Sequence, residues 1–170
     1  WTTIFYNLNA FSFTSNFSLA AGHFDQLQCG YNYVSIRVFD TLSNCTTVQD
    51  VFYIKKDTVP PEVPVFIYPG EGRPVNSAEV VLDWNDVSDA LSGFDEYQVQ
   101  VAQDNSFTTV EYESTLSVSQ VKTSSLSEGI HYCRVRAKDN VGNWSAWSSV
   151  RSFRIDLTPP DAWSNFEAQR

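Results

Sequence analysis

The fold class this sequence predicts is all-β, built of tandem antiparallel β-sandwich modules. Three observations predict it. Apolar residues alternate with polar ones at period two in segment after segment, the mark of half-buried strands. Gly, Pro, Asn, Asp and Ser cluster between those segments as turn signals. One stretch of the chain is also written twice, 99 residues apart. Composition agrees: aromatics reach 15% against only 18% charged residues, which favours pleated, half-buried surface over solvated helix.

The repeat sets the domain organisation. "LQCGYNYVSIRVFDTLSN" and "LSEGIHYCRVRAKDNVGN" place Leu27 on Leu126, Gly30 on Gly129, Tyr33 on Tyr132, Arg37 on Arg136, Asp40 on Asp139 and Asn44 on Asn143. The match runs on through Val51 and Val150 into "DTVPP" and "DLTPP". Self-similarity at one fixed offset is the signature of a modular array. Pro-Pro lacks two backbone donors, cannot continue a sheet ladder, and makes a stiff extended joint. The expected division is the C-terminal part of one module in residues 1–57, a complete module in 58–156, and in 157–170 a linker with the first strand of a further module, or a donor strand. Residues 1–57 hold no counterpart of "AEVVLDW", so that module is expected to present an open edge and half a core. Upstream chain or another subunit would complete it, the latter by strand addition, with residues 159–170 as candidate donor.

Each element of the complete module has its own pattern. In "AEVVLDWNDV", Val80, Leu82 and Trp84 point one way and Val81, Asp83 and Asn85 the other. In "FDEYQVQVAQD", Tyr97, Val99 and Val101 share a face opposite Glu96, Gln98 and Gln100. In "GIHYCRVRAKD", Cys133, Val135 and Ala137 oppose Tyr132, Arg134 and Arg136. In "VRSFRID", Phe153 and Ile155 go in and Arg154 goes out. "PGEGRP", "DALSGF", "DNSF", "LSEG" and "DNVGN" read as the turns between them. About seven short strands in roughly 100 residues, without a helical pattern, argue for two stacked sheets.

These residues resemble fibronectin type III-like and immunoglobulin-like modules, in the style of the tandem D-x-T-P-P repeats of large prokaryotic cell-surface and secreted proteins. The resemblance covers the complete module and residues 20–57 of the preceding one. It implies strands at about 64–69, 79–85, 95–103, 107–113, 117–123, 130–138 and 147–155. Trp84 is similar to the core Trp of that family's second strand. His131 stands in the slot where a Tyr usually anchors a corner.

Charge and cysteine usage narrow the function classes. Net charge is −9 and the eleven Lys and Arg are scattered, so no basic face for phosphate backbones or anionic membranes is expected. No run approaches eighteen apolar residues, so no membrane-spanning segment is expected. The chain has no Met and no leader pattern, which reads as a piece of something longer. Cys29 and Cys45 bracket a strand, and at ~3.3 Å per residue they stand too far apart to bridge. Cys133 reads as a small core residue.

Four groups of residues are candidate sites. In "NWSAWSS", similar to the W-S-x-W-S box of type I cytokine receptors, Trp144 and Trp147 are expected to stack with Arg134 and Arg136 as a structural ladder on the sheet face. In the acidic loop "DWNDVSDALSGFDE", Asp86, Asp89 and Asp95, together with Asp57 from the linker, are candidate Ca²⁺ ligands, since calcium takes six to eight oxygens from flexible loops. Asp139 and Asn143 have the simpler role of bonding their own turn. Asn16, Asn44 and Asn143 stand in Asn-x-Ser/Thr triplets and are candidate glycosylation sites; the alternative is that Asn44 and Asn143 serve a tight turn by tolerating positive φ. Trp163, Trp144 and Trp147 are candidates for an aromatic platform for sugar. Neither His23 nor His131 falls in a nucleophile or metal motif, so no enzyme and no cofactor beyond Ca²⁺ is expected.

The function expected is a non-catalytic extracellular array at the cell surface: a stalk, surface-layer, adhesin-like or filament component whose partners are neighbouring modules or copies of itself. The alternatives are spacer or targeting modules of a secreted hydrolase, and a receptor ectodomain that binds protein.

Overall fold

The computed structural model of the chain describes residues 21–160. The chain divides into two compact units, Trp1–Val59 and Pro60–Arg170.

The described part of the first unit is a short helix followed by a long hairpin. Helix α1 (Ala21–Asp25) ends against Lys56, whose ammonium donates to the Phe24 and Asp25 carbonyls at 3.0 Å each. A cation there satisfies carbonyls that the helix leaves unpaired. Strands β1 (Gly30–Phe39) and β2 (Cys45–Lys56) pair antiparallel from Gly30–Lys56 to Phe39–Cys45. A register shift between Val34 and Ile36 is bridged by Asp50, which sits at φ +50° and donates its N–H to Ser35 Oγ. Most of the hairpin's large apolar residues stay exposed, among them Tyr33 at 60%, Phe39 at 58%, Val48 at 57% and Tyr53 at 56%, while Val34 and Ile54 are half-buried. Cys29 adjoins one end of the ladder and Cys45 closes the other; both are free thiols.

The second unit contains β3 (Phe66–Tyr68), β4 (Arg73–Val75), β5 (Val81–Trp84), β6 (Phe94–Ala102), β7 (Val110–Leu116), β8 (Gln120–Lys122), β9 (Gly129–Asp139) and β10 (Arg151–Ile155). One sheet has the order β3-β5-β8 and the other β4-β10-β9-β6-β7. Their inward residues form one core. Leu82 and Trp84 come from the smaller sheet and Val80 from just before its strand β5; Tyr97, Val99, Val101, Cys133, Val135, Ala137, Phe153 and Ile155 come from the larger. The period-two pattern therefore sorts side chains as the sequence predicts, and each fully buried large apolar side chain contributes ~1.5–3 kcal/mol. Trp84 is the hub, edge-on to Phe66 at 5.9 Å and to Tyr97 at 5.4 Å. The Tyr97 hydroxyl reaches out to accept the Val87 N–H at 3.0 Å.

Strand β8, expected over 117–123, is confined to Gln120–Lys122, and three further differences bear on the site. Part of "PGEGRP", read as a turn, is strand β4, lying parallel to β10 with Gly72 N–H on Ser152 O and Asp156 N–H on Val75 O, both 2.9 Å. Pro74 fits there because β4 is an edge strand with a single neighbour, so its missing donor costs no ladder bond. The strand expected at 107–113 starts at Val110. Its first residues are a loop wound around Asp104, which accepts the N–H groups of Ser106, Thr108 and Thr109 and forces Phe107 to φ +56°. The last strand begins at Arg151 because residues 145–148 bond to β9 in a different way, described below.

Candidate functional site

Polar chemistry in the second unit gathers in three places. The first is the outer face of β9. Arg134 and Arg136 alternate with buried Val135, so both point outward. Gln100 on β6 accepts from Arg134 Nε and Nη2 at 2.9 and 2.7 Å, and Gln98 accepts from Arg136 Nε at 2.8 Å. Gln98 is itself held by a hydrogen bond to Glu113 on β7. These bonds fix the guanidinium planes for stacking. Arg134 lies 4.0 Å from the Phe107 ring and 4.2 Å from Trp147; Arg136 lies 4.2 Å from Trp144 and 4.5 Å from Trp147; the Lys138 ammonium stands 5.4 Å from Trp144. The result is a continuous stack in the order Phe107, Arg134, Trp147, Arg136, Trp144, Lys138. Phe107 and Lys138 are the two members that sequence reasoning missed.

The two serines of the same box explain how the tryptophans are presented. Ser145 donates its N–H to Ala137 O at 2.8 Å, and its hydroxyl accepts the Ala137 N–H at 3.0 Å. Ser148 does the same to Val135, at 2.8 and 3.1 Å. Here three residues of the box span two of β9. An ordinary strand keeps pace one for one, so backbone alone would leave β9 donors unpaired. The hydroxyls fill in, and both serines are buried while Trp144 and Trp147 are thrown outward onto the arginines.

The second place is the Asp-to-Asn turn, which both units build alike. In the second unit Asp139 Oδ1 accepts the N–H groups of Val141 and Asn143, at 3.0 and 2.7 Å, and Asn143 Nδ2 donates to Oδ2 at 2.7 Å. In the first unit Asp40 accepts from Leu42, Asn44 and the Asn44 amide at 2.9, 2.9 and 2.8 Å. The Asn44 bonds hold the Asp40 carboxyl below the ordinary carboxylate range. Burial of Asp139 opposes ionisation, yet its bonds from Asn143, Val141 and Gly142 outweigh that and hold it low as well. The positive φ expected of the asparagines falls instead one residue earlier, on Ser43 (+69°) and Gly142 (+98°). The asparagines close the turn by hydrogen bonding, which is why their amides point at the aspartates. Gly30 and Gly129, also 99 apart, open the two hairpins at φ +100° and +130°.

The acidic loop lies beside the second turn: Asn140 donates its N–H to Gly93 O at 3.0 Å and its amide to Ser92 O at 2.9 Å. Two of its candidate carboxylates, Asp89 and Asp95, have local partners. Asp89 Oδ1 accepts from Leu91, Ser92 and Gly93, at 2.9, 2.8 and 3.1 Å. Asp95 pairs with Lys138 at 3.0 Å. Asp86 is exposed, and Asp57 accepts the Val59 N–H at 2.9 Å. Asn16 and Trp163 lie outside the described residues, as does the greater part of the 157–170 segment.

The third place was not legible in the sequence. His131 is wholly buried, stacked 5.5 Å from Phe153. Its Nε2 stands 2.8 Å from Glu111 Oε2 and 3.4 Å from Ser127 Oγ; its Nδ1 stands 3.3 Å from the Gly129 carbonyl. The tether to the Gly129 carbonyl is of the kind a corner Tyr would supply. Glu111 is the extra residue of a β-bulge: Tyr112 pairs with Val101 and Val110 with Ala102, leaving Glu111 between them. A bulge re-aims a side chain, and Glu111 is turned toward β9. Carboxylate and hydroxyl both face the same ring nitrogen. A catalytic relay needs them on opposite nitrogens, and a fully buried ring reaches no substrate.

No protein-family model and no curated protein matches the sequence. Among solved structures the chain is similar to an alpha-L-rhamnosidase from Dictyoglumus thermophilum, with TM-score 0.43 and 16% identity, over 58% of this chain and 12% of that one. It is also similar to the Streptomyces avermitilis alpha-L-rhamnosidase complexed with L-rhamnose, with TM-score 0.40 and 21% identity, over 58% of this chain and 10% of that one. The chain thus spans about a tenth of the length of either. The described fold by itself defines the class: a predominantly β protein whose second unit stacks two sheets on one core. Among the described residues no helix is long and apolar enough to cross a membrane.

Proposed function

We propose that the chain is part of a non-catalytic, extracellular array of immunoglobulin-like or fibronectin type III-like modules, serving as a stalk, surface-layer or adhesive component that holds position under load. One observation carries the reading: β4 and β10, near the two ends of the second unit, pair in parallel. Tension on the ends pulls such strands in opposite directions along their length, so the bonds from Gly72 to Ser152 and from Asp156 to Val75 are strained together instead of one after another. The recurrence of one turn, with the same donors and acceptors at Asp40 and Asp139, supports a modular array. The exposed apolar faces of β1 and β2 support completion of the first unit by further strands, from a neighbouring module or another copy. Single-molecule pulling on the full chain tests the reading. The second unit is expected to open in one step, releasing ~300 Å of chain, at a force that drops in Asp156→Pro, where the donor to Val75 is gone. Unfolding without a resolvable force peak, or a force indifferent to that substitution, removes the load-bearing role.

A further inference from the structure

The Arg134 and Arg136 guanidiniums are held in place but not neutralised. Their anchors, Gln100 and Gln98, are uncharged amides. The carboxylates nearby are committed elsewhere: Asp95 and Glu96 pair with Lys138 at 3.0 and 2.7 Å, and Glu113 takes the Gln98 amide. Among the described residues no carboxylate forms an ion pair with either guanidinium. Burial and the neighbouring Arg136 charge both pull Arg134 below the ordinary guanidinium range, with Glu113 opposing from farther off. The chain has 20 Asp and Glu against 11 Lys and Arg, so carboxylates are in surplus. A stack that served packing alone would gain by anchoring its two like charges on them.

A guanidinium stacked between rings can donate hydrogen bonds only within its own plane. Arg134 spends Nε and Nη2 on Gln100, and Arg136 spends Nε on Gln98. Arg134 Nη1, both Nη atoms of Arg136 and the Gln100 amide nitrogen have no acceptor among the described residues. The ring faces are taken as well: Trp147 lies between the two arginines, and Trp144 between Arg136 and Lys138. The two tryptophans therefore offer no platform on which a sugar ring could stack. What remains on offer is positive charge and in-plane donors, which match the two oxygens of a carboxylate. Spacing narrows the ligand further. Arg134 and Arg136 stand two residues apart on β9, a rise of ~6.6 Å, and alternate side chains of an extended peptide repeat at the same distance.

We propose that the outer face of β9 binds an extended acidic peptide, whose carboxylates at positions i and i+2 are received by the free edges of the Arg134 and Arg136 guanidiniums and by the Gln100 amide nitrogen beside them. The stack presets both guanidinium planes, so binding costs little side-chain freedom. Lys138 keeps its own carboxylates, so the site reads two acidic side chains. The contact is open to solvent on one side and weakens as salt is added.

Titrating the full ¹⁵N-labelled chain with a blocked octapeptide of alternating Glu and Ser tests this. Saturable shifts are expected at the Arg134 and Arg136 Nε–H signals and at the Gln100 amide. The counterpart with Gln in place of Glu should bind about tenfold more weakly. An octapeptide of the same composition written as Glu-Glu-Ser-Ser twice, with no glutamates at i and i+2, should also bind more weakly. Arg136→Lys keeps the charge and loses the fork, and should weaken binding about tenfold. Arg154→Gln removes a positive charge from the neighbouring strand β10 and should leave the affinity within about twofold. The parent's own signals report the site, so the test survives a variant that fails to fold. Absence of saturable shifts at those signals, or equal binding of the two Glu peptides, overturns the proposal. So do equal losses in Arg136→Lys and Arg154→Gln, which would mean diffuse charge attraction, and tighter binding of a sulfated oligosaccharide at the same signals.

Discussion

Ser148→Ala removes one oxygen and is expected to be costly, although a serine in a loop outside regular structure reads as replaceable. The hydroxyl accepts the Val135 N–H at 3.1 Å, and Val135 is fully buried in the middle of β9. Ala leaves that donor orphaned where water cannot reach it. A buried unsatisfied donor costs ~1–3 kcal/mol, and in a domain of this size each kcal/mol moves the midpoint by ~4–8 °C, so the loss falls between about 4 and 24 °C. The hydroxyl's own bond, to the Ser149 carbonyl, adds little, because that carbonyl belongs to an exposed residue that water can serve. Differential scanning calorimetry gives the midpoint, and amide hydrogen exchange gives the residue. Protection should fall selectively at Val135 in Ser148→Ala and at Ala137 in Ser145→Ala. Ser149→Ala should leave both alone. A Ser148→Ala midpoint within a degree of the parent, with Val135 protection unchanged, would refute the substitution of hydroxyl for backbone.

Other outcomes follow from the same structure. A double-mutant cycle on Arg136→Ala and Trp144→Ala should give a coupling of ~0.5–1 kcal/mol; zero coupling would mean the stack is geometry without energy. Asp139→Ala should destabilise at neutral pH, and its cost should shrink in acid. The folded carboxyl is held low, so its contribution is present above the free value of ~3.9 and is lost as pH falls below it; a cost that is equal at pH 3 and pH 7 in urea titrations would contradict this. Because Ser43 and Gly142 hold the same positive-φ position, Gly142→Ala should lower stability by ~1 kcal/mol through left-handed strain. Ser43→Gly should in turn slow amide exchange across β1 and β2, and faster exchange would break the equivalence of the two turns.

The sequence by itself determined which residues of the second unit form the core. Val80, Leu82 and Trp84, or Cys133, Val135 and Ala137, declare their side because a pleated strand turns every second residue the same way, and that alternation is local. It also determined the recurring turn, since an Asp and an Asn four residues apart meet through their own backbone. The tertiary structure alone decided the rest. Glu111 and His131 come together because a bulge in β7 turns one side chain past the end of β6, and bulges follow from how two strands fit, not from either one alone. Phe107 joins the arginine stack only because Asp104 winds its loop into positive φ. Strand β4 exists because β10 offers an edge to Arg73–Val75, a segment that spells a turn when read alone with Gly70, Gly72 and its own Pro74. Contacts of that kind join residues twenty to eighty apart, and no local pattern records which strand edges are left to be filled.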